Sequence, residues 1–310
     1  MSLKETRHCF QIFATHRDSA GTAVTVAQPS SENVWIDQKI DFRKLQCACN
    51  RNGKPCGAIV KVDTTLDHLS GGRFQLGIGR GISPHELQYF GADPALGQAM
   101  YVEAFQVILK ALTRDVVDHE GEYYKYRNVP VELHPLQRPH PPLWYGIGNP
   151  ESVDWCVRHR VNVVTNAPFD LMRRISDGYR EAWSRAGHSP ASLPCIGSSR
   201  HVVIADTDAE AERIARRAYT RWRASFMHLF KKHNASPRFV VFTEDFDEMR
   251  RGHVVIAGTA ATVRDEMRHV TEATGLNYVL CRFAFGDMTL EESMRSTEQF
   301  ATQVMPAFAA

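Results

Sequence analysis

Residues 69–81 read LSGGRFQLGIGRG, a short apolar run set among five glycines and two arginines. The run over residues 74–79 predicts a β-strand, and the glycines on both sides of Arg80 predict a tight turn directly after it. Because glycine keeps the backbone accessible, a phosphate or a planar ligand could approach this turn, where Arg80 would offer it a fork of donors. The structural alternative is an arginine that only covers the end of the strand.

Strand and helix patterns alternate from this stretch to the end of the chain. The predicted strands are residues 74–79, 141–148, 161–167, 200–206 and 277–285, and the predicted helices are residues 98–113, 149–159, 170–186, a helix that starts at Asp208, and residues 290–304. Such a repeat predicts parallel strands joined by crossover helices. It fits the later part of an eight-stranded (β/α)8 barrel, in which functional residues follow the carboxyl ends of strands. An open doubly wound sheet is the alternative.

The composition fits one domain without a polyanionic partner. The 310-residue chain is 43% hydrophobic, and no Pro-, Gly- or Ser-rich linker divides it, so a single domain over residues 1–310 is predicted. Lys plus Arg (37) nearly balance Asp plus Glu (35), which argues against nucleic acid or an anionic membrane as a partner. No signal-peptide pattern and no apolar run of about 18 residues is found, so a cytoplasmic location is expected.

The seven cysteines form no regular framework, as expected in a reducing compartment. Three of them, Cys47, Cys49 and Cys56, give the spacing C-x-C-x6-C. That spacing lacks the paired C-x2-C hairpins and the neighbouring histidines of a structural zinc site. We therefore predict buried thiols and no metal.

A second candidate site, Asn149 to Ser152, follows the strand over residues 141–148. Its sequence NPES predicts an N-cap asparagine, a proline at the first helical position and a first turn that contains the serine. Free backbone N–H groups, the positive end of the helix dipole and the serine hydroxyl would make this turn an anion site, so that Arg80 and Ser152 clamp one phosphate. The alternatives are a cap that binds nothing and a competing phosphate loop at residues 258–263, GTAATV.

Several motifs, in their order along the chain, resemble the bacterial luciferase-like monooxygenase family. They are TLDHLSGGRFQLGIGRG, ELQYFG, HEGEYY, PLQRPHPPLWYG, PESVDWCVRH, GLNYVLCRFAFGDM and FATQVMP. The resemblance covers about residues 57–310, and its block at residues 65–81 is highly specific. It implies a luciferase-like (β/α)8 TIM barrel and, because members are usually dimers, a homodimer.

The resemblance also implies a cofactor site. Family members bind reduced FMN or, in another branch, a deazaflavin, and the arginine of the RG pair and the ES helix start hold the FMN phosphate. The cofactor-binding residues so implied are Gly79, Arg80, Gly81, Asn149, Glu151 and Ser152. Gly79 stands where luciferase carries a reactive cysteine. The resemblance favours this site over the loop at residues 258–263.

The activity that the resemblance implies is oxidation of a small organic substrate by reduced FMN and molecular oxygen. A separate flavin reductase usually supplies the reduced cofactor in this family. Two alternatives stay open: a flavin-binding protein without turnover, and a deazaflavin-dependent oxidoreductase that does not use oxygen. The residues that form the substrate pocket lie in loops after strands, so the sequence does not identify the substrate.

Residues 1–56 depart from the family pattern, whereas residues 57–310 follow it. The early segment is short for three βα units, and the histidines that usually follow its VW pair are absent. The motif AGTAV at residues 20–24 resembles the family's third strand but precedes the second. These departures leave the catalytic residues unidentified and make turnover less secure than cofactor binding.

Two histidines are candidates for a catalytic role. His16 ends a predicted first strand over residues 8–16, where its side chain could face the mouth of a barrel. His85 falls in the loop predicted after the strand over residues 74–79, where it could face a substrate. For both, the structural alternative is a histidine that is hydrogen-bonded and takes no part in chemistry.

Overall fold

The computed structural model describes residues 23–25, 58–79, 84–89, 92–237 and 242–308. The chain falls into two compact units, which are described separately. Unit 1 comprises Met1–Ala14 and Ser30–Trp144, and unit 2 comprises Thr15–Pro29 and Tyr145–Ala310. The first described strand, β1 (Ala23–Thr25), belongs to unit 2.

The described part of unit 1 combines three helices with short strands. Its elements are α1 (Ala58–Leu69), β2 (Leu76–Gly77), α2 (Pro84–Tyr89), α3 (Gly97–Thr113), β3 (Val116–Glu120), β4 (Lys125–Pro130) and the first half of β5 (Leu143–Gly146). β2 and β5 run parallel, with Leu76 beside Leu143. The helix predicted over residues 98–113 is confirmed as α3, which buries a face at helical spacing that includes Ile108 and Leu112.

An antiparallel hairpin of β3 and β4 follows α3, and the sequence pattern did not predict it. Its buried side chains alternate with exposed ones and include Val117, His119 and Tyr126. Val117 and Tyr126 pack with Leu87 of α2 and Ala104 of α3 in one apolar cluster. The buried histidine interrupts the apolar alternation, which explains why the strand is hard to recognise from sequence.

Unit 2 contains the remaining strands and most of the helices. After the second half of β5 its elements are α4 (Val153–Arg158), β6 (Asn162–Thr165), α5 (Phe169–Arg185), β7 (Ile196–Ile204), α6 (Asp208–Phe226), α7 (His228–Lys232), α8 (Phe246–Arg251), β8 (Val255–Gly258), α9 (Ala260–Thr274), β9 (Tyr278–Arg282) and α10 (Leu290–Gln299). Among the helices of the described ranges, none has both the length and the apolar composition that a bilayer crossing requires.

β7 is the strand on which the sheet of unit 2 is assembled. It pairs in parallel with β6, β8 and β9, and β9 pairs in parallel with β1. The register places Ile196 beside Val163 of β6 and His201 beside Arg282 of β9. Because every pair is parallel and helices connect the strands, the predicted parallel α/β class is confirmed.

Apolar side chains cover both faces of β7. Val202 and Ile204 belong to a cluster with residues of α9 and with Phe300. Val203 belongs to a second cluster, on the other face, with apolar residues of α6 that include Ile214. The last part of β7 is therefore buried on both faces, which is typical of parallel sheets and explains its continuous apolar sequence.

The element boundaries differ from the predicted ones at several places, most clearly in β7, in β8 and in the last helix. β7 begins at Ile196, before predicted residue 200, because pairing continues through polar residues such as Ser198, whose Oγ donates to the carbonyl of Thr165 at 2.6 Å. β8 was not predicted. The helix expected over residues 290–304 changes to a π-helix at Phe300–Val304.

The position of β1 differs from the resemblance noted in the sequence. Ala23 lies beside Tyr278 of β9, so this strand pairs with the last strand of the chain, whereas AGTAV resembles the family's third strand. The place of residues 23–25 in the sheet is therefore set by this pairing and not by the resemblance of the motif. The strand predicted over residues 8–16 lies outside the described residues.

Candidate functional site

The start of the helix after β5 is built around Asn149, which confirms the predicted N-cap. Asn149 has an extended backbone and precedes a 3-10 turn, Pro150–Ser152, that leads into α4. Its Oδ1 accepts a hydrogen bond from the backbone N–H of Glu151 at 3.1 Å, and its Nδ2 donates to Oε2 of the same residue at 3.0 Å. The Asn149 amide therefore holds both the backbone and the side chain of Glu151.

The backbone donors that were expected to be free at this turn are already bonded within it. Besides the N–H of Glu151, the N–H of Ser152 donates to the carbonyl of Asn149 at 3.0 Å, and the N–H of Val153 donates to the carbonyl of Pro150. The expectation was wrong because a 3-10 turn closes its hydrogen bonds one residue earlier than an α-helix. Within the described residues, the half-buried Ser152 hydroxyl makes no hydrogen bond, so it is the open donor of this turn.

The glycine-rich candidate site is described only in part. Gly79 follows β2 in unit 1, and a Cβ atom built on it would meet no heavy atom of the described structure within 4 Å. Packing of the protein therefore does not require glycine here, and space is open beside the backbone. Arg80 and Gly81 lie outside the described residues, as does His16.

His85 lies on the short helix α2 and not in the loop that the sequence pattern predicted. Its Nδ1 is 3.2 Å from Oε1 of Gln88, one helical turn further along the chain. The residue is half-buried. The local reason for the helix is that Pro84 suits a first helical position and that the residues after it have ordinary helix propensity.

The cysteines of the described residues are thiols, and two of the three are buried. Burial raises the pKa of Cys156 to about 12, so this residue is neutral at physiological pH. Within the described ranges, no group of histidine, cysteine, aspartate and glutamate is placed to hold a metal ion. Cys47, Cys49 and Cys56 lie outside those ranges.

The competing loop at residues 258–263 is occupied by a carboxylate of the protein itself. Asp208, at the start of α6, accepts hydrogen bonds from the backbone N–H of Thr259 at 2.7 Å and from Oγ1 of Thr262 at 2.8 Å. These hydrogen bonds, the first of them above all, lower the pKa of Asp208. An incoming phosphate would meet the negative charge of Asp208 at this helix start, bonded directly to the backbone N–H that a phosphate would need.

Replacing Asp208 by asparagine should lower the free energy of unfolding by about 0.5–1 kcal/mol at pH 7, because a charge at the start of α9 is lost. The carboxylate has a folded pKa below its ordinary 3.8, so its stabilisation is present above that value and disappears as the pH falls through the folded pKa. Urea unfolding between pH 7 and pH 3 should show the two proteins converging. The exposed Asp265 of α9 offers a control, Asp265→Asn, with little effect at any pH. An undiminished difference at pH 3 would refute the electrostatic account.

Polar residues on three strands of unit 2 were missed by the sequence patterns. They are Asn166, directly after β6, the pair Arg200 and His201 in β7, and Arg282 at the end of β9. The sequence does contain a signal for these residues, because arginine and histidine interrupt the apolar runs SSRHVVI and VLCRFAF. Buried basic residues in a central strand are uncommon, and they mark positions where function or an ion pair compensates their burial.

Comparison with known proteins gives the chain its family. The sequence model of the luciferase-like monooxygenases matches residues 61–277, well over half of the chain. The chain belongs to this family. The resemblance seen in its motifs is thereby confirmed.

Two sequence relatives of this luciferase-like protein illustrate its position in the family. Protein y4wF of Sinorhizobium fredii is 36% identical over 240 residues, which is 77% of this chain and 70% of that protein. The oxygenase component of a flavin-dependent trigonelline monooxygenase from Acinetobacter baylyi is 26% identical over 263 residues, which is 78% of this chain and 69% of that protein.

Two solved structures share the fold of this luciferase-like chain. The oxygenating constituent of 3,6-diketocamphane monooxygenase from Pseudomonas putida, in complex with FMN, matches with a TM-score of 0.63 and 23% identity over 80% of this chain and 75% of that one. The coenzyme F420-dependent tetrahydromethanopterin reductase from Methanopyrus kandleri matches with a TM-score of 0.56 and 20% identity, over 80% of this chain and 78% of that one. At these identities the comparison establishes the fold alone.

Proposed function

We propose that this protein is a flavin-dependent monooxygenase that uses reduced FMN and molecular oxygen to oxidise a small organic substrate. The observation that carries the proposal is the helix start after β5, where the Asn149 amide holds the Glu151 carboxylate and the Ser152 hydroxyl is left as an open donor for a phosphate. The family match and the flavin-dependent trigonelline relative support the reaction class.

The fold that we propose is a single (β/α)8 barrel over residues 1–310. Two observations support it: among the described strands of unit 2, β7 pairs in parallel with β6, β8 and β9, and β9 with β1; and in unit 1, β2 runs parallel to β5. Family members with this fold are usually dimers, and we extend the homodimer to this chain as part of the proposal.

The phosphate of FMN would be held by residues that follow β2 and β5. Arg80 would contribute a charged, forked donor, and Ser152 its free hydroxyl, while the glycines beside Arg80 let the backbone approach. Glu151 would act through Asn149, because its carboxylate accepts from Nδ2 and so fixes the orientation of that amide. Bound reduced flavin supplies the electrons that activate oxygen, and the task left to the protein is to orient the substrate and exclude water.

The main alternative to FMN as the cofactor is a deazaflavin. An F420-dependent reductase shares the fold, so a deazaflavin-dependent oxidoreductase is the second candidate function. A flavin-binding protein without turnover is the third. The trigonelline relative is an oxygenase component, and by analogy we propose that a separate reductase supplies reduced flavin here. His16 and His85 are the candidate catalytic residues of this proposal.

An anaerobic titration with reduced FMN and with the deazaflavin tests the proposal. Replacing Arg80 by alanine should weaken FMN binding about 10- to 100-fold, because a charge-assisted contact to the phosphate is lost. Arg73 offers a matched control in the same glycine-rich block, since it is exposed and its Nε donates to the carbonyl of Ser70 at 2.7 Å. Arg73→Ala should bind FMN like the wild type.

Admitting air to the FMN complex then separates the remaining possibilities. Oxidation of an added organic substrate that is coupled to flavin reoxidation supports the monooxygenase. Flavin reoxidation without consumption of any compound in a panel of organic substrates indicates a flavin-binding protein. Preference for the deazaflavin points to the oxidoreductase. Failure of both cofactors to bind would refute all three forms of the proposal.

A further inference from the structure

Two strands of unit 2 carry basic side chains that have no ion-pair partner. Arg200 and His201 lie in β7 and are 1% and 2% exposed, and Arg282 ends β9 and is half-buried. Each side chain has a buried nitrogen without a hydrogen-bond partner: Nε of the two arginines and Nε2 of the histidine. Burying a charge costs free energy unless a partner compensates it, so these groups call for an explanation.

The strand register separates the three residues onto two faces of the sheet. His201 lies beside Arg282, and Arg200 lies beside Cys281, and neighbouring residues along a strand point to opposite faces. The Arg200 guanidinium is tied down on its own face, since it donates to the carbonyl of Ser199 at 2.9 Å and to Sδ of Met172 at 3.2 Å. His201 and Arg282 form the pair that shares the other face.

Arg282 keeps its charge although nothing in the described structure neutralises it. Its guanidinium makes no hydrogen bond or ion pair within the described ranges. Burial lowers the pKa of Arg282 to about 10, which still leaves it protonated at neutral pH. Burial, and after it the charge of Arg282, lowers the pKa of His201 well below its ordinary value, so the histidine is neutral. The pair therefore carries one positive charge.

Polar groups lie along the same strand as His201, and two aromatic rings pack against its imidazole. Ser199 lies two residues before His201 on the same face, and its backbone N–H donates to Oδ1 of the exposed Asn166 at 3.2 Å. The rings of Trp222 and Phe285 stand edge-on to the His201 ring, with centroids 4.4 and 4.5 Å away. A charged donor beside aromatic rings suits a ligand with one anionic group and an apolar body.

We propose that Arg282 and His201 bind the anionic group of the organic substrate, a carboxylate or a sulfonate. This inference rests on the proposed function, in that it names the substrate class of that enzyme. One positive charge balances a monoanion and not a phosphate dianion, and the guanidinium fork fits two oxygen atoms. The neutral imidazole can donate or accept through Nε2, and Ser199 and Asn166 add donors at the same edge of the sheet.

The test measures thermal unfolding of the full chain in benzoate, benzenesulfonate and inorganic phosphate, with ionic strength held constant by sodium chloride. Benzoate or benzenesulfonate should raise the melting temperature saturably, and any response to phosphate, which could bind at the proposed flavin site, should be the same in the wild type and in Arg282→Met. Arg282→Met should weaken this binding about 10- to 100-fold, and Arg282→Lys should weaken it less. Arg268→Met replaces an exposed arginine of α9 and should bind as the wild type does.

The melting temperature without anion distinguishes a ligand-binding arginine from a structural one. Because Arg282→Met removes a buried charge that has no partner, it should melt at or above the wild-type temperature. A lower melting temperature, an organic-anion effect that survives in Arg282→Met, or a phosphate effect that Arg282→Met abolishes would overturn the proposal. Binding of reduced FMN is measured on the same variants and should be retained, so a failure of the flavin proposal and a failure of this one give different results.

Discussion

Replacing Gly286 by alanine is expected to lower the free energy of unfolding by about 2–5 kcal/mol. Gly286 follows β9 and has a φ of +62°, a conformation that side chains disfavour by about 1–2 kcal/mol. A Cβ atom here would stand 1.9 Å from the carbonyl oxygen of Ala218 in α6. Since the obstacle is helix backbone and not the end of a flexible side chain, either the loop or α6 must move, which adds the cost of overpacking.

Gly178→Ala provides a control whose effect on the free energy of unfolding should have the opposite sign. Gly178 lies inside α5, has no positive φ, and a Cβ atom on it would meet no described heavy atom within 4 Å. Alanine should therefore stabilise the helix by about 0.5–1 kcal/mol. Chemical unfolding of the two variants beside the wild type measures both effects. If Gly286→Ala unfolds within about 0.5 kcal/mol of the wild type, which is about one experimental error, the crowding argument fails.

Replacing Glu103 by alanine is expected to cost about 2–4 kcal/mol. From α3, this carboxylate accepts hydrogen bonds from the backbone N–H groups of Glu122, Tyr123 and Tyr124, and from Nε2 of His119 at 3.1 Å. Alanine would leave these donors without their acceptor. Because the Glu103 side chain is 13% exposed, water would reach part of the vacated site, which keeps the cost below the sum of four buried donors.

The same contact predicts the acid sensitivity of unit 1. Burial raises the pKa of Glu103, but the backbone hydrogen bonds and His119 lower it by more, so the folded pKa lies below the ordinary 4.5. The stabilisation is then present above that value and is lost as the pH falls through the folded pKa. The wild type and Glu103→Ala should therefore converge in acid unfolding curves.

Glu120→Ala serves as the matched control for Glu103→Ala. Glu120 belongs to the same hairpin but is exposed and pairs with the exposed Lys125, so its loss should leave stability close to that of the wild type. Equal effects of the two substitutions, or a Glu103 effect that does not diminish in acid, would contradict a role for the buried hydrogen bonds.

Helical periodicity and caps were readable from the sequence because they depend on neighbours only three or four residues away. The spacing of apolar residues predicted α3 to within one residue of its start, and NPES predicted the Asn149 cap. The parallel class followed from the alternation of these elements. The glycine-rich block gave the family, which the match over residues 61–277 confirms.

The features that sequence patterns missed depend on contacts distant along the chain. The hairpin of β3 and β4 is held by Glu103, which lies well before it, and its buried His119 hides the alternation. The charge at the start of α9 comes from Asp208, 51 residues before Thr259. The pairing of His201 with Arg282 is likewise a matter of strand register, which a single sequence does not reveal.

The Asp208 carboxylate constrains the routes by which this protein could evolve a new phosphate specificity. The start of α9 follows Gly258, but it already carries its own anion, and a Cβ atom on Gly258 would stand 2.7 Å from Oδ1 of Asp208. A substitution that adds a donor there gains nothing while the carboxylate stays. The Asp208 carboxylate would have to be lost before such a donor could bind phosphate, and its loss is itself mildly destabilising. A phosphate site at this helix start would therefore require two changes in a fixed order, and the first of them is unfavourable.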